Sequence, residues 1–180
     1  WALLIGVEDY IIASDLEYAV DDVTALRTEL LRLGFPSQQI ISLHSEAPGP
    51  YIPDKANIER ELESLVAKTR KDDILVIAFS GHGVHLPAVD GHPEDSYFCP
   101  ADADFREPSK TMIRVSEVFA QVGQSEASGR LILVDACRNT PVSRGMQLRR
   151  IPRSLQLGRD LRSGFVRDLD QAPRGIALLS

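Results

Sequence analysis

Apolar residues along this chain follow two rhythms. Short continuous runs, Ala2-Leu3-Leu4-Ile5, Ile74-Leu75-Val76-Ile77-Ala78-Phe79 and Leu131-Ile132-Leu133-Val134, read as buried strands. Between them the spacing becomes helical. Val23, Leu26, Leu30 and Leu33 predict a helix over Val20 to Leu33, ended by Gly34. Ile58, Leu62, Leu65 and Val66 predict a second helix running to about Lys68, opened by Pro53-Asp54 with Asp54 as its cap. Strands are expected at Ala2 to Val7, Ile40 to Leu43, Asp73 to Phe79, Arg130 to Val134 and Gly175 to Leu179, and a short helix at Val115 to Val122. Asp90-Gly91 is a turn signal within Val84 to Pro100, so a β-hairpin is expected there. Alternating strands and helices predict an α/β, doubly wound sheet.

Two of the strand-like runs end in reactive groups. Ser80-Gly81-His82-Gly83 follows the first, and Asp135-Ala136-Cys137-Arg138 the second. Both side chains are therefore expected to leave a buried strand at its carboxyl end, the rim where ligands bind in open parallel sheets. A single Cys or His at such a place is more often structural. Together, a thiol and an imidazole make a minimal cysteine hydrolase: the imidazole raises the thiolate fraction and the thiolate attacks a carbonyl.

These blocks, with His82 and Cys137 separated by a caspase-like interval, resemble the caspase and metacaspase clan of cysteine peptidases. Ala19-Val20-Asp21-Asp22, Tyr97-Phe98-Cys99-Pro100-Ala101-Asp102 and Arg174-Gly175-Ile176-Ala177-Leu178-Leu179 also look like the family, and Asp-Ala-Cys-Arg-Asn is closest to its prokaryotic, metacaspase-type members. The resemblance implies a caspase-like three-layer sandwich, a mostly parallel sheet with helices on both faces, here lacking the C-terminal strand and helices. It divides the chain into a large-subunit-like (p20) region at 1–137, an Arg-rich linker at 138–174, and the start of a small-subunit-like (p10) region at 175–180. It also implies roles: Cys137 as nucleophile, His82 as general acid-base, and the backbone amides of Gly83 and Cys137 as the oxyanion hole. Asn139 stands where caspases have Gly.

Specificity is expected to follow charge. Where Asp-cutting caspases carry Gln and Arg, this chain has Asp135 and Asp22, which with Ser80 resemble the acidic specificity (P1) pocket of metacaspases. Two carboxylates favour a guanidinium or ammonium and repel a substrate carboxylate, so cleavage is expected after Arg or Lys. Asp22 is otherwise a helix-start carboxylate favoured by the dipole.

Charge is unevenly spread along the chain. Its net value is −6, yet residues 138–174 hold nine Arg against three Asp, which leaves the rest at −12. The Arg-rich stretch suits self-processing by an acidic pocket. A nucleic-acid contact is disfavoured, because only Phe165 is interleaved and the body is acidic.

Calcium, used by many metacaspases, is expected to be dispensable. Asp95 resembles one of the family's calcium ligands, but Ile113-Arg114-Val115-Ser116 and Arg144 stand where further acids are usual, and hard cations need several oxygens. No other cofactor or metal is expected, since His44, His85 and His92 show no zinc spacing and there is no phosphate loop.

At 180 residues and 43% hydrophobic content, one domain is expected. Cys99 and Cys137 make no disulfide framework, which suits a reducing cytoplasm. No run approaches a membrane span, and the opening residues do not read as a signal peptide; they lie inside a strand-like run, Trp1-Ala2-Leu3, as expected of an excised fragment whose targeting residues are missing. The expected partners are peptide and protein substrates with a basic residue before the cut, and the missing p10-like segment. The competing class is a caspase-like module without catalysis, acting by binding; intact His82 and Cys137 argue against it.

Overall fold

The computed structural model describes residues 1–86, 88, 94–137 and 175–179, with the side chains of Cys137, Leu178 and Leu179 outside that description. Five strands form a parallel sheet in the order β2, β1, β3, β6, β7: β1 (Ala2–Gly6), β2 (Ile40–His44), β3 (Ile74–Leu86), β6 (Gly129–Cys137) and β7 (Ala177–Leu179). Two further strands, β4 (Asp95–Phe98) and β5 (Ile113–Arg114), continue from the far half of β3 as an antiparallel ribbon.

Alternation along each strand sends successive side chains to opposite faces. On one face Leu3, Ile5, Ile77, Phe79, Ile132 and Val134 join a core completed by α2 (Lys55–Lys68) and α4 (Val115–Gln124). On the other, Ala2, Leu4, Val76 and Ala78 pack with Val23 and Leu30 of α1 (Ala19–Arg32). Helices on both faces make this a three-layer α/β sandwich, as expected.

The helix ends follow the sequence. Asp54 accepts the N–H of Asn57 at 2.7 Å, the side-chain cap expected for α2. After α1, Gly34 takes a φ of 91°, and the N–H groups of Gly34 and Phe35 bond the carbonyls of Leu31 and Leu30, a Schellman ending. The start of α1 has no side-chain cap of its own: the residue there is Tyr18, left-handed with a φ of 77°, whose phenol oxygen is too far from its own backbone to cap. Glu8 serves instead, its Oε1 accepting the N–H of Val20 at 2.8 Å.

Four elements differ from expectation. β3 does not stop at Phe79; it runs on through His82 to Leu86, so the imidazole sits inside a strand rather than beyond its end. The strand persists because its second half exchanges one partner for another, leaving β1 after Ser80 and taking up β4 from Gly83. The hairpin is present as the antiparallel β3 and β4, while its Asp90-Gly91 turn lies outside the described residues. β6 likewise extends beyond Val134, to Cys137 itself. The sequence reading also omitted β5 and the one-turn α3 (Pro108–Thr111), which are too short for any periodicity to register.

Candidate functional site

The site is a matter of register. β3 and β6 pair in parallel with Ser80 opposite Asp135, Gly81 opposite Ala136 and His82 opposite Cys137. Adjacent strands lie about 4.8 Å apart, so two positions 55 apart in sequence become neighbours across one ladder. Ser80 and His82 continue the series Val76 and Ala78, and this puts them on the sheet face that α1 covers.

His82 is 1% exposed. Its Nε2 lies 2.8 Å from the carbonyl oxygen of Ser14, in the loop between β1 and α1. A carbonyl only accepts, so Nε2 carries the proton and the lone pair of the neutral ring is on Nδ1. Among the described residues, Nδ1 is buried with no hydrogen-bond partner. Burial holds the imidazole pKa below its ordinary value, opposed by the Ser14 carbonyl and the Asp15 carboxylate, both of which favour the charged ring.

Beside the imidazole, Ser80 Oγ donates to Asp22 Oδ2 at 2.9 Å. Asp22 comes from the first turn of α1 and is exposed, and Asp135 opposite Ser80 is exposed as well. The three expected pocket residues therefore gather from α1, β3 and β6 at one end of the sheet.

Gly83 pairs with Phe98 on β4. The N–H of Cys99 bonds the carbonyl of His82 at 2.9 Å, so the polar backbone groups of His82 point toward β1 and β4. Alternation then turns the N–H of Gly83 the opposite way, toward the β6 side where Cys137 lies.

The remaining candidates stay apart from this cluster. Cys99 is fully buried, and that burial pushes its thiol pKa far up, so it stays protonated. Among the described residues no three His, Cys, Asp or Glu side chains converge as a metal site. Asp95 is 7% exposed; its carboxylate accepts from the N–H of Ser96 at 2.8 Å and from the hydroxyl of Ser116, with Arg114 Nε 4.0 Å away. His85 hydrogen-bonds locally, with Nδ1 3.2 Å from Ser96 Oγ and Nε2 2.9 Å from Glu94 Oε1. His44 ends β2, and His92 lies outside the described residues. The Arg-rich stretch 138–174 and Asn139 fall outside them too.

Sequence reasoning missed Ser14 and Tyr10. Ser14 acts through a carbonyl, which every residue carries, so no signal marks it. The Tyr10 hydroxyl accepts the N–H of His82 at 2.9 Å, and only its place shortly after the first strand hinted at it.

An α/β sandwich with a parallel main sheet that pairs a His and a Cys position across adjacent strands defines a class, that of caspase-type folds. Comparison with known proteins agrees: the family model for the caspase domain matches residues 1–174. The chain belongs to the caspase family of cysteine peptidases, with metacaspases as its relatives. Metacaspase-1B of Aspergillus oryzae is 38% identical over 98 residues, which cover 53% of this chain and 23% of that protein. Metacaspase-9 of Arabidopsis thaliana is 32% identical over 143 residues, covering 73% of this chain and 44% of its own. The chain thus spans less than half the length of these relatives. A crystal structure of protein GSU0716 from Geobacter sulfurreducens superposes with a TM-score of 0.59 at 20% identity, over 77% of this chain and 51% of that one, a likeness of fold. No helix among the described residues is long and apolar enough to cross a membrane.

Proposed function

We propose that the protein is a cysteine endopeptidase that cleaves after Arg or Lys, with Cys137 as nucleophile and His82 as its base. The observation that carries this reading is the parallel register in which His82 faces Cys137 and Ser80 faces Asp135. His82 Nδ1 takes the thiol proton, and the thiolate adds to the scissile carbonyl carbon. The resulting oxyanion is met by the N–H groups of Gly83 and Cys137. Collapse of the tetrahedral adduct breaks the C–N bond as the imidazolium returns its proton to the leaving amine. Water then attacks the thioester with His82 again as base, releasing the acid and the free thiol.

Asp22, hydrogen-bonded to Ser80, and Asp135, opposite Ser80 in the β3–β6 ladder, form the acidic slot for the substrate's basic side chain. An Arg guanidinium suits two carboxylates through paired charge-assisted hydrogen bonds, whereas an Asp side chain is repelled. The same preference makes the Arg-rich segment 138–174, between the p20-like region 1–137 and the p10-like residues 175–180, a substrate in cis. Calcium is not required in this reading, because the Asp95 carboxylate is already committed to Ser96, Ser116 and the nearby Arg114 cation. A reducing compartment such as the cytoplasm keeps the thiol usable.

The test is a peptide library that varies the residue before the cut, run on the protein and on a Cys137→Ala variant. Turnover confined to Arg and Lys substrates and abolished in the variant supports the reading. Cleavage after Asp, or equal fragmentation of both proteins within 138–174, overturns the specificity or the self-processing respectively.

A further inference from the structure

One buried side chain beside the site has no part in the chemistry above. Tyr10 is 9% exposed, and its ring lies against the imidazole of His82 with centroids 4.8 Å apart and planes tilted by 39°. Its hydroxyl accepts the backbone N–H of His82 at 2.9 Å and donates to the carbonyl of Val7 at 3.2 Å.

The need for that hydroxyl follows from where β1 ends. The last paired residues of β1 and β3 are Gly6 and Ser80, and one further bond runs from the N–H of Val7 to the carbonyl of Ser80. The next N–H of β3 to point toward β1 is that of His82, and no strand remains there to receive it. A buried, unpaired N–H is costly. The phenol takes the position the missing strand residue would have held, and it anchors itself on the end of β1. Gly81 leaves the space, since a Cβ there would lie 2.8 Å from the phenol oxygen. The backbone of Tyr10 is tied to the same loop, its N–H donating to Asp15 Oδ1 at 3.1 Å, next to the Ser14 carbonyl that bonds His82 Nε2.

We infer that Tyr10 is a positioning residue for His82, its hydroxyl fixing the histidine backbone and its ring one side of the imidazole, so that Nδ1 is held toward β6. The inference rests on the reading of His82 as the base. A merely space-filling role would need no hydroxyl, and Phe would serve it equally. Tyr10 also shields the imidazole from water on the side it covers. Among the described residues, the carboxylate that acts on that ring is Asp15, on the same loop; on α1, Asp22 is held by Ser80, two residues before His82, and on β6, Asp135 stands opposite Ser80 in the ladder.

The experiment compares the full chain with Tyr10→Phe and Tyr10→Leu by steady-state kinetics on a basic peptide and by NMR of the His82 ring. For Tyr10→Phe we expect kcat to fall roughly tenfold with KM within about twofold, as for loss of orientation without loss of binding. The ring resonances, expected to be single in the wild type, should broaden or double, with the titration midpoint unmoved because the ring cover remains. In Tyr10→Leu the midpoint should rise toward that of a solvated histidine, moving the pH–rate profile with it. Wild-type kcat together with unchanged ring resonances in Tyr10→Phe overturns the inference, whether or not Tyr10→Leu folds. If the wild type shows no Cys137-dependent cleavage, the peptidase reading fails on its own, and the resonances still decide whether Tyr10 orients the imidazole.

Discussion

The hydroxyl of Ser80 donates to the carboxylate of Asp22 at 2.9 Å, tying β3 to the first turn of α1 two residues before the buried imidazole. Ser80 is buried and Asp22 exposed, so the bond fixes an outward-facing charge at the mouth of the site. Replacing Asp22 by Asn keeps the size and removes the charge. We expect kcat/KM for an Arg substrate to fall about 10- to 100-fold, the worth of one hydrogen bond to a charged group, with the melting temperature nearly unchanged. A full rate on Arg substrates in D22N would remove Asp22 from the specificity pocket.

Gly81 has no room for a side chain. A Cβ would lie 2.8 Å from the Tyr10 hydroxyl oxygen and 3.2 Å from the Phe98 ring, both in the core. Gly81→Ala should therefore cost about 1–3 kcal/mol, as other overpacked sites do, and lower kcat through His82. Urea unfolding measures the first and peptide turnover the second; wild-type stability in this variant would contradict the crowding.

Burial lowers the pKa of His82 in the folded protein, while in the unfolded chain it returns to about 6.5. Below that value the unfolded state binds the proton first, so the contribution of His82 to stability is full above about pH 6.5 and is lost as pH falls through the folded pKa. The stability difference between the wild type and His82→Gln should thus shift against the wild type between pH 7.5 and 5. Urea midpoints at the two pH values give the measurement, and a constant difference would show an imidazole as freely hydrated folded as unfolded.

Asp54 provides a control on the helix that packs against the opposite face of the sheet from α1. Its carboxylate caps α2, so Asp54→Ala should cost about 1 kcal/mol and leave kcat and KM as they are. A catalytic defect in this variant would tie α2 to the site.

Activity should persist in a chelator. Asp95 already accepts from Ser96 and Ser116 beside Arg114, and a divalent ion would have to displace these partners and approach a cation. Peptide turnover that stops in chelator and returns with calcium would refute this.

Most of the framework was legible because its signals are local. Asp54, Gly34 and the stripes of α1 and α2 carry their own instructions, and the apolar runs named four of the five parallel strands to within about three residues at each end. The limits of β3 and β6 were not local. Ser80-Gly81-His82-Gly83 reads as turn chemistry, but β4 and β6 supply ladder partners that extend the strand through it. At the site, residue types pointed to His82, Ser80 and Asp22, and the structure gathers them. Ser14 and Tyr10 escaped because one acts through its carbonyl and the other through a backbone bond that arises only where β1 runs out.

β3 belongs to the parallel sheet by its first half and to the antiparallel ribbon by its second, with His82 at the crossover. The imidazole is thus mounted on a beam resting on two supports. The bond from Cys99 N–H to the His82 carbonyl fastens the outer support to the residue itself, so any tilt of the ribbon, wherever along β4 or β5 it begins, is felt as torque on the ring.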